Sequence, residues 1–384
     1  MPVLALNVHA GFRCRHSGAC CTAGWPIPVE RDVADAVREH RLLPEQALDT
    51  TGRLPEGAVA VLAPLSGGAC PAFDGPGGNV CAIQRRLDHD GLPASCRHFP
   101  RVALLEPDAV RVTLSHFCPT AASMLFRTDV RQIGIVPNAP GIADRPEHDG
   151  FDARQTIPPL LRPGVAMDAG TCRLWERHLL EAFGGDGRAA DDMLGGAARA
   201  AEHVRAWKSE EGPLEAHAAR VLDGASPRGT SRVRWTMSIA SASRLFLLAT
   251  GAIPDGVARP ELPAGADAAD GAWVLPRWAD FSRPLGRYLA ARSFAAWTAY
   301  LGEGIRTQVA ALAVALAAVR VEASRAAAGA ARPLDEDLLL AAIRAADSLL
   351  HHLADTPTLV SRLAAVEQGP EHAFLSAIGL EAAG

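Results

Sequence analysis

A chain of 384 residues is long enough for two or three domains with separate cores, and 48% hydrophobic residues suit a globular protein in water. A net charge of −5 and a pI of about 6.2 give no basic footprint for nucleic acid. Positive charge rests almost wholly on arginine, with Lys208 the only lysine, which reflects a codon bias rather than selection for phosphate binding.

The start of the chain, residues 1–14, has neither a basic region nor a long apolar run, so it does not read as a signal peptide. The longest apolar run, Val309 to Val319, falls short of the roughly 20 residues that span a bilayer. A cytoplasmic protein without membrane partners is therefore expected. There, thiols stay reduced, and clustered cysteines bind metal more readily than they form disulfides.

Residues 1–28 read as an extended segment followed by a cysteine knuckle around Cys14, Cys20 and Cys21, where Gly18 and Gly24 permit tight turns and Pro26 and Pro28 disfavour a helix. From Glu30 to Leu43, Val33, Ala36 and Val37 recur at helical spacing. The charges of that helix, Glu30, Asp32, Asp35 and Glu39, read as a solvated face. A Pro- and Gly-rich loop then leads to a second knuckle at Cys70, and a glycine-rich turn over residues 75–79 leads to Cys81.

Between Cys81 and Cys96 lies an amphipathic stretch, closed by the turn Arg97-His98-Phe99-Pro100-Arg101. Residues 101–116 predict a β-hairpin: Val102 and Leu104, then Val110, Val112 and Leu114, alternate on either side of Glu106-Pro107-Asp108. The hairpin would carry Cys118 back towards Cys81 and Cys96, and Pro119 suits the first turn of a short helix.

After a connector of Pro and Gly the chain turns alanine-rich. It predicts helices over about 168–184, 188–209, 213–223, 230–250, 286–300, 302–328, 334–354 and 357–367, with no repeat of fixed period. The expected fold is mainly α: an irregular, cysteine-rich, metal-binding N-terminal domain with one short hairpin over 1–130, followed by a helical domain over 131–384.

Seven of the eight cysteines, Cys14, Cys20, Cys21, Cys70, Cys81, Cys96 and Cys118, fall in the first third of the chain. Thiolate is a soft ligand that suits zinc, Cu(I) and iron–sulfur clusters. The spacings are x5, x10, x14 and x21, with Cys20 and Cys21 adjacent, so the two short pairs of a structural zinc site are absent. Seven thiols also exceed the four that a single all-cysteine ion site takes, which favours a cluster or two sites. An iron–sulfur cluster is the first expectation and zinc the second.

His16, His98 and His116 stand within two residues of a cysteine and are candidates either for ligands or for hydrogen bonds to sulfur. Cys172, beside Leu174 and Trp175, reads as a buried apolar residue. Arg97 and Arg101 flank the thiols, either tuning their charge, binding an anion, or pairing with Asp88 or Asp90. Trp25 and Phe99 fit an apolar wall for a lysine stem and equally fit a core. No general base is named, since Asp88 and Asp90 also serve as helix-end charges.

Phe12, Cys14, Gly18, Cys20, Cys21, Gly24 and Trp25, then Cys70, Phe73, Cys81, Ile83, Gln84, Cys96, Arg97, Phe99, Pro100, Arg101, Cys118 and Pro119 together form a pattern. It resembles the YkgJ-type cysteine-cluster family of zinc- or iron-chelating proteins, over about residues 10–125. Gly24-Trp25, Ile83-Gln84 and the overall length are most similar to the flagellin lysine N-methylase branch. The family's motif C-x-x-C-x-x-C-C is incomplete here, with only Cys14 and the Cys20–Cys21 pair in that region. The resemblance implies a metal-cluster protein that uses S-adenosylmethionine to methylate surface lysines of a protein such as flagellin. The second implication is a non-catalytic metal-binding protein acting through a partner. No Gly-rich turn between strand and helix, no Walker A sequence, no Gly-x-Ser-x-Gly and no His-Glu-x-x-His occurs, so a methyl-donor site cannot be placed from the sequence.

Overall fold

The computed structural model describes residues 1–51, 54–75, 81–143, 150–185, 187–224, 233–366 and 368–383; the turn expected over 75–79 lies largely outside them. Strand β1 (Val3–Leu6) leads through a long loop to β2 (Ile27–Val29), and the helix expected after Glu30 forms as α1 (Arg31–Glu39). With β3 (Leu48–Asp49) and β4 (Ala60–Leu62), β2 makes a small antiparallel sheet in the order β2-β4-β3. Val33, Ala34 and Val37 of α1 bury their side chains in one cluster with Ile27, Val29, Leu48 and Leu62 of that sheet.

The alternating stretch forms β5 (Arg101–Leu105) and β6 (Val110–Leu114), antiparallel, with register from Arg101↔Leu114 to Leu105↔Val110. These are inner strands of a larger sheet. With β7 (Ile135–Pro137) and β8 (Gly150–Asp152) the order is β7-β1-β6-β5-β8, in which β1 runs parallel to β6 and β8 parallel to β5. Only glycine fits at Gly150, because a Cβ there would lie 2.2 Å from the Ala103 carbonyl oxygen of β5.

The fold expectation needs correcting. The chain is mixed α/β, 51% helical and 11% strand, and its five-stranded sheet replaces the irregular N-terminal domain with a lone hairpin. The physical reason lies in strand length and separation. Strands of three or four residues are too short to show alternation. Their partners are also remote in sequence: Leu4 pairs with Arg111 on one side and Pro137 on the other.

Strand β6 is buried along its whole length, from Val110 to Leu114, so its polar residues need partners. Arg111 is held between Glu106 and Glu176, and Thr113 Oγ1 donates to the Ala291 carbonyl at 3.2 Å.

One face of the sheet packs on helices. Leu6 and Leu104 share a core with residues of the helices Ala169–Gly184, Ala190–Arg205, Leu214–Gly224, Ile239–Thr250, Ser282–Ser293, Ile305–Ala330, Glu336–Ser348 and Thr356–Val366. Ile305–Ala330 is buried nearly throughout, as an alanine-rich helix apolar on all sides must be. Its two buried cations are paired, Arg306 with Glu202 at 2.6 Å and Arg320 with Asp270 at 2.7 Å. Among the described residues, no helix is long and apolar enough to cross a membrane.

The first helix of this layer starts where Asp168 caps it, accepting from the Thr171 amide at 2.8 Å and its hydroxyl at 2.9 Å. Asp168→Ala is expected to lower stability by about 1 kcal/mol in urea unfolding. An unchanged midpoint would mean that water replaces the cap at no cost.

Candidate functional site

All seven cysteines singled out in the sequence line one cavity of about 1210 Å³. They reach it from five segments. Cys14, Cys20 and Cys21 lie on the loop before β2, and Cys70 follows β4. Cys81 precedes helix α2 (Ala82–Leu87), Cys96 lies within α3 (Ala94–His98), and Cys118 precedes α4 (Pro119–Met124). Backbone pairing ties the first two knuckles together: the Cys70 amide donates to the Cys21 carbonyl at 2.7 Å, and the Gly24 amide to that of Gly68 at 2.9 Å. Both glycines have φ near +80°, and their backbones face each other closely enough that a Cβ on Gly68 would touch the Gly24 Cα at 3.6 Å. The same cavity is lined by Phe12, Trp25, Ile83, Gln84, Phe99, Pro100, Arg101 and Pro119, residues of the same sequence pattern.

Every one of these thiols is free. Cys20 and Cys21 Sγ stand 3.9 Å apart, and the hydrogen bond from the Cys21 thiol pulls Cys20 down to about 7 while holding Cys21 well above the ordinary range. Burial pushes Cys14, Cys70, Cys81, Cys96 and Cys118 up, and the Cys20 charge adds to each of those shifts. Backbone amides of Ile83 and Gln84 at Cys81, and of Thr120 and Ala121 at Cys118, work the other way. A cavity whose thiols hold their protons through burial and mutual repulsion gives them up to a soft cation, which removes both causes.

The donor type therefore fits a soft metal. The spacing is looser: among the described residues, no three His, Cys, Asp or Glu side chains are set close enough to hold one ion. His16 and His98 line the cavity with the thiols, and the His16 amide donates to Cys14 Sγ at 3.4 Å. His116 is buried away from it. Arg97 Nη1 donates to the carbonyls of Asp90 and Leu92, and Arg101 Nη2 to that of Gly141 at 2.6 Å. Cys172 lies elsewhere, its thiol pushed up to about 12 by burial.

The rest of the lining comes from the helical layer, and the sequence reading missed it. Helix Glu336–Ser348 passes into a π-helical turn, Leu349–Leu353, that brings His351 and His352 to the cavity. His352 stacks on Trp25 with ring centroids 4.2 Å apart, and Trp25 meets Phe99 at 5.7 Å and Phe117 at 4.9 Å. Behind this aromatic wall, Ser115 Oγ lies 2.8 Å from His352 Nε2 and donates to Asp347 at 3.1 Å.

Asp347 is fully buried and also accepts from the His116 amide at 2.5 Å and from Tyr288 OH at 3.1 Å. Burial alone would raise its carboxyl, but the surrounding His351, His116, Arg292 and His352 hold it well below the carboxylate range. His116 Nε2 lies 3.2 Å from His9 Nε2, in the short turn Asn7–His9 that follows β1. The two adjacent histidines following an aspartate on one helix were the available sequence signal, but a π-turn that faces both inward is not written in helical periodicity.

Comparison with known families, with curated proteins and with solved structures finds no match for this chain.

Proposed function

We propose that the seven thiols hold a polynuclear iron–sulfur centre, and that the chain is a cytoplasmic protein-lysine N-methylase that uses S-adenosylmethionine on surface lysines such as those of flagellin. The observation that carries this reading is the convergence on one cavity of Cys14, Cys20, Cys21, Cys70, Cys81, Cys96 and Cys118 with Trp25, Gln84 and Phe99. Scattered thiols suit a centre of several atoms better than one ion, since a cluster takes each ligand at a different corner. Such a centre supplies soft Lewis acidity and one-electron chemistry when bound.

The chain's own residues supply the rest. The Trp25–Phe99 wall takes the aliphatic stem of a lysine and excludes water from it. A lysine nitrogen attacks only after losing its proton, and burial against that wall favours its neutral form. His352 stacks on Trp25 in the wall, kept neutral by burial at a pKa of about 4, and offers the amine an uncharged hydrogen-bond partner, with Ser115 and Asp347 behind it.

Anaerobic purification with metal and sulfide analysis tests the first half: a brown protein with iron and acid-labile sulfide is expected. Labelled S-adenosylmethionine with a lysine-bearing surface protein tests the second. Cys96→Ser is expected to lower both cluster content and label transfer at least about tenfold, the scale at which even outer partners of metal ligands act. A colourless protein with stoichiometric zinc and no transfer would return the chain to the second reading, a metal-binding cysteine-cluster protein whose helical part docks a partner.

A further inference from the structure

The chain leaves the large sheet after Phe12 and returns to it at Phe99, and both rings pack on that sheet's own core. Between them, residues 13–98 build a second core. Among the described residues, the cluster of Ile27, Val33, Leu62, Ile83 and their neighbours takes no side chain from outside 25–96. The two clusters of the remaining chain take none from 13–98. The excursion is therefore packed as a separate unit, tethered to the body of the protein at both ends.

The thiols divide along the same line. Cys14, Cys20, Cys21, Cys70, Cys81 and Cys96 belong to the unit, and the last three pack against its core. Cys118 alone of the seven belongs to the body, buried in one cluster with Phe12, Leu114 and Ala121. The cavity that all seven line is thus a seam between two cores. An aromatic contact also crosses it, where Trp25 of the unit meets Phe117 and His352 of the body.

The unit's core is small: eleven buried residues, three of them alanines. A core of that size supplies little stability, and small units commonly add a metal, whose binding energy is then folding energy. A metal that takes thiols from both sides completes the unit and ties it to the body at once.

We propose that residues 13–98 are a separate folding unit, and that a bound metal locks it onto the body through Cys118. The inference rests on the reading of the thiols as metal ligands and takes nothing from the methyl-transfer reading.

The test compares the full chain with its metal and after chelation under reducing conditions, with metal content measured on each sample. Amides of Ile27–Val29, Arg31–Glu39 and Ala60–Leu62 are expected to exchange hydrogen about a hundredfold faster after chelation, the factor that a ligand at about 100 times its Kd lends. Those of Val110–Leu114 and Ile305–Ala330 are expected to keep their protection. The radius of gyration from X-ray scattering is expected to rise as the unit leaves the body. Cys118→Ser, reconstituted to wild-type metal content, is expected to keep the unit protected and still show the larger radius. Unchanged protection after chelation, or a loss spread evenly over both parts, overturns the unit and leaves the metal reading in place. An unchanged radius in folded Cys118→Ser overturns the lock. Should that variant lose protection at Val110–Leu114 as well, the chelated wild type decides, and an unchanged radius there overturns the lock. A chain that takes up no metal under anaerobic reconstitution overturns the metal reading and the lock together.

Discussion

Asp347→Ala is expected to cost about 3–5 kcal/mol, the scale for removing one partner from a buried charge network. The carboxylate is fully buried and has three hydrogen-bond donors, Ser115 Oγ, the His116 amide and Tyr288 OH, with Arg292 and His351 as charged or chargeable neighbours. Alanine leaves those donors without an acceptor and Arg292 without its counter-charge, and each orphaned donor costs about 1–3 kcal/mol. Asp347→Asn keeps the shape and one acceptor oxygen but loses the charge, so about half the loss is expected. Urea unfolding of both variants measures this, and a loss under about 1 kcal/mol for Asp347→Ala would mean that water enters and solvates the network.

The same change reaches the thiols. Asp347 grips Ser115 and His116, the two residues between strand β6 and the Phe117-Cys118 step, and Cys118 heads the helix Pro119–Met124. Loosening that grip frees the most deeply buried cysteine of the set. Metal content should therefore fall in Asp347→Ala even where the chain remains folded. Wild-type metal content in a folded Asp347→Ala would separate the network from the cavity.

Chemistry was easier to read from this sequence than architecture. Residue type and clustering single out the seven cysteines, the family resemblance adds Trp25 and Phe99, and all of them line one cavity. Helix Ala169–Gly184 follows its 3.6-residue apolar spacing, and Ile305–Ala330 its long alanine-rich run, to within a few residues of the expected bounds. The sheet did not show because its evidence is non-local: β1, β7 and β8 become strands only by pairing with residues far along the chain. Helix Ile239–Thr250 begins well after the expected residue 230, because residues 234–236 pair with 381–383 instead, a contact between stretches nearly 150 residues apart. Asp347, His351, His352 and Arg292 belong to helices whose pattern signals burial but not the cavity they border. Their role follows from how the helical layer meets the sheet, which periodicity leaves undetermined.

Stability is expected to fall by several kcal/mol between pH 7 and pH 4.5, driven by histidines that fold neutral. Burial lowers His178, His352 and His116 to about 4 and holds His9 and His351 well below the ordinary value. Each of these groups has a folded pKa under its unfolded one, near 6.5. As pH drops from about 6.5 towards 4, the unfolded chain takes up protons that the folded chain refuses, so the unfolded state gains. Two buried carboxyls oppose this: burial raises Asp191 to about 6 and also raises Glu176, so the folded chain binds their protons first. Five imidazoles outweigh two carboxyls, and the net direction is destabilising on acidification. His178 isolates the effect, because it stacks on Trp175 with centroids 5.9 Å apart, and burial followed by Arg188 lowers it with no thiol involved. His178→Gln should flatten the slope of stability against pH by about one proton, or about 1.4 kcal/mol per pH unit, around pH 5. Denaturant unfolding of both proteins at matched metal content from pH 7.5 to 4.5 measures it. Parallel slopes would mean that His178 is protonated in the folded chain, with solvent reaching its ring despite the packing against Trp175.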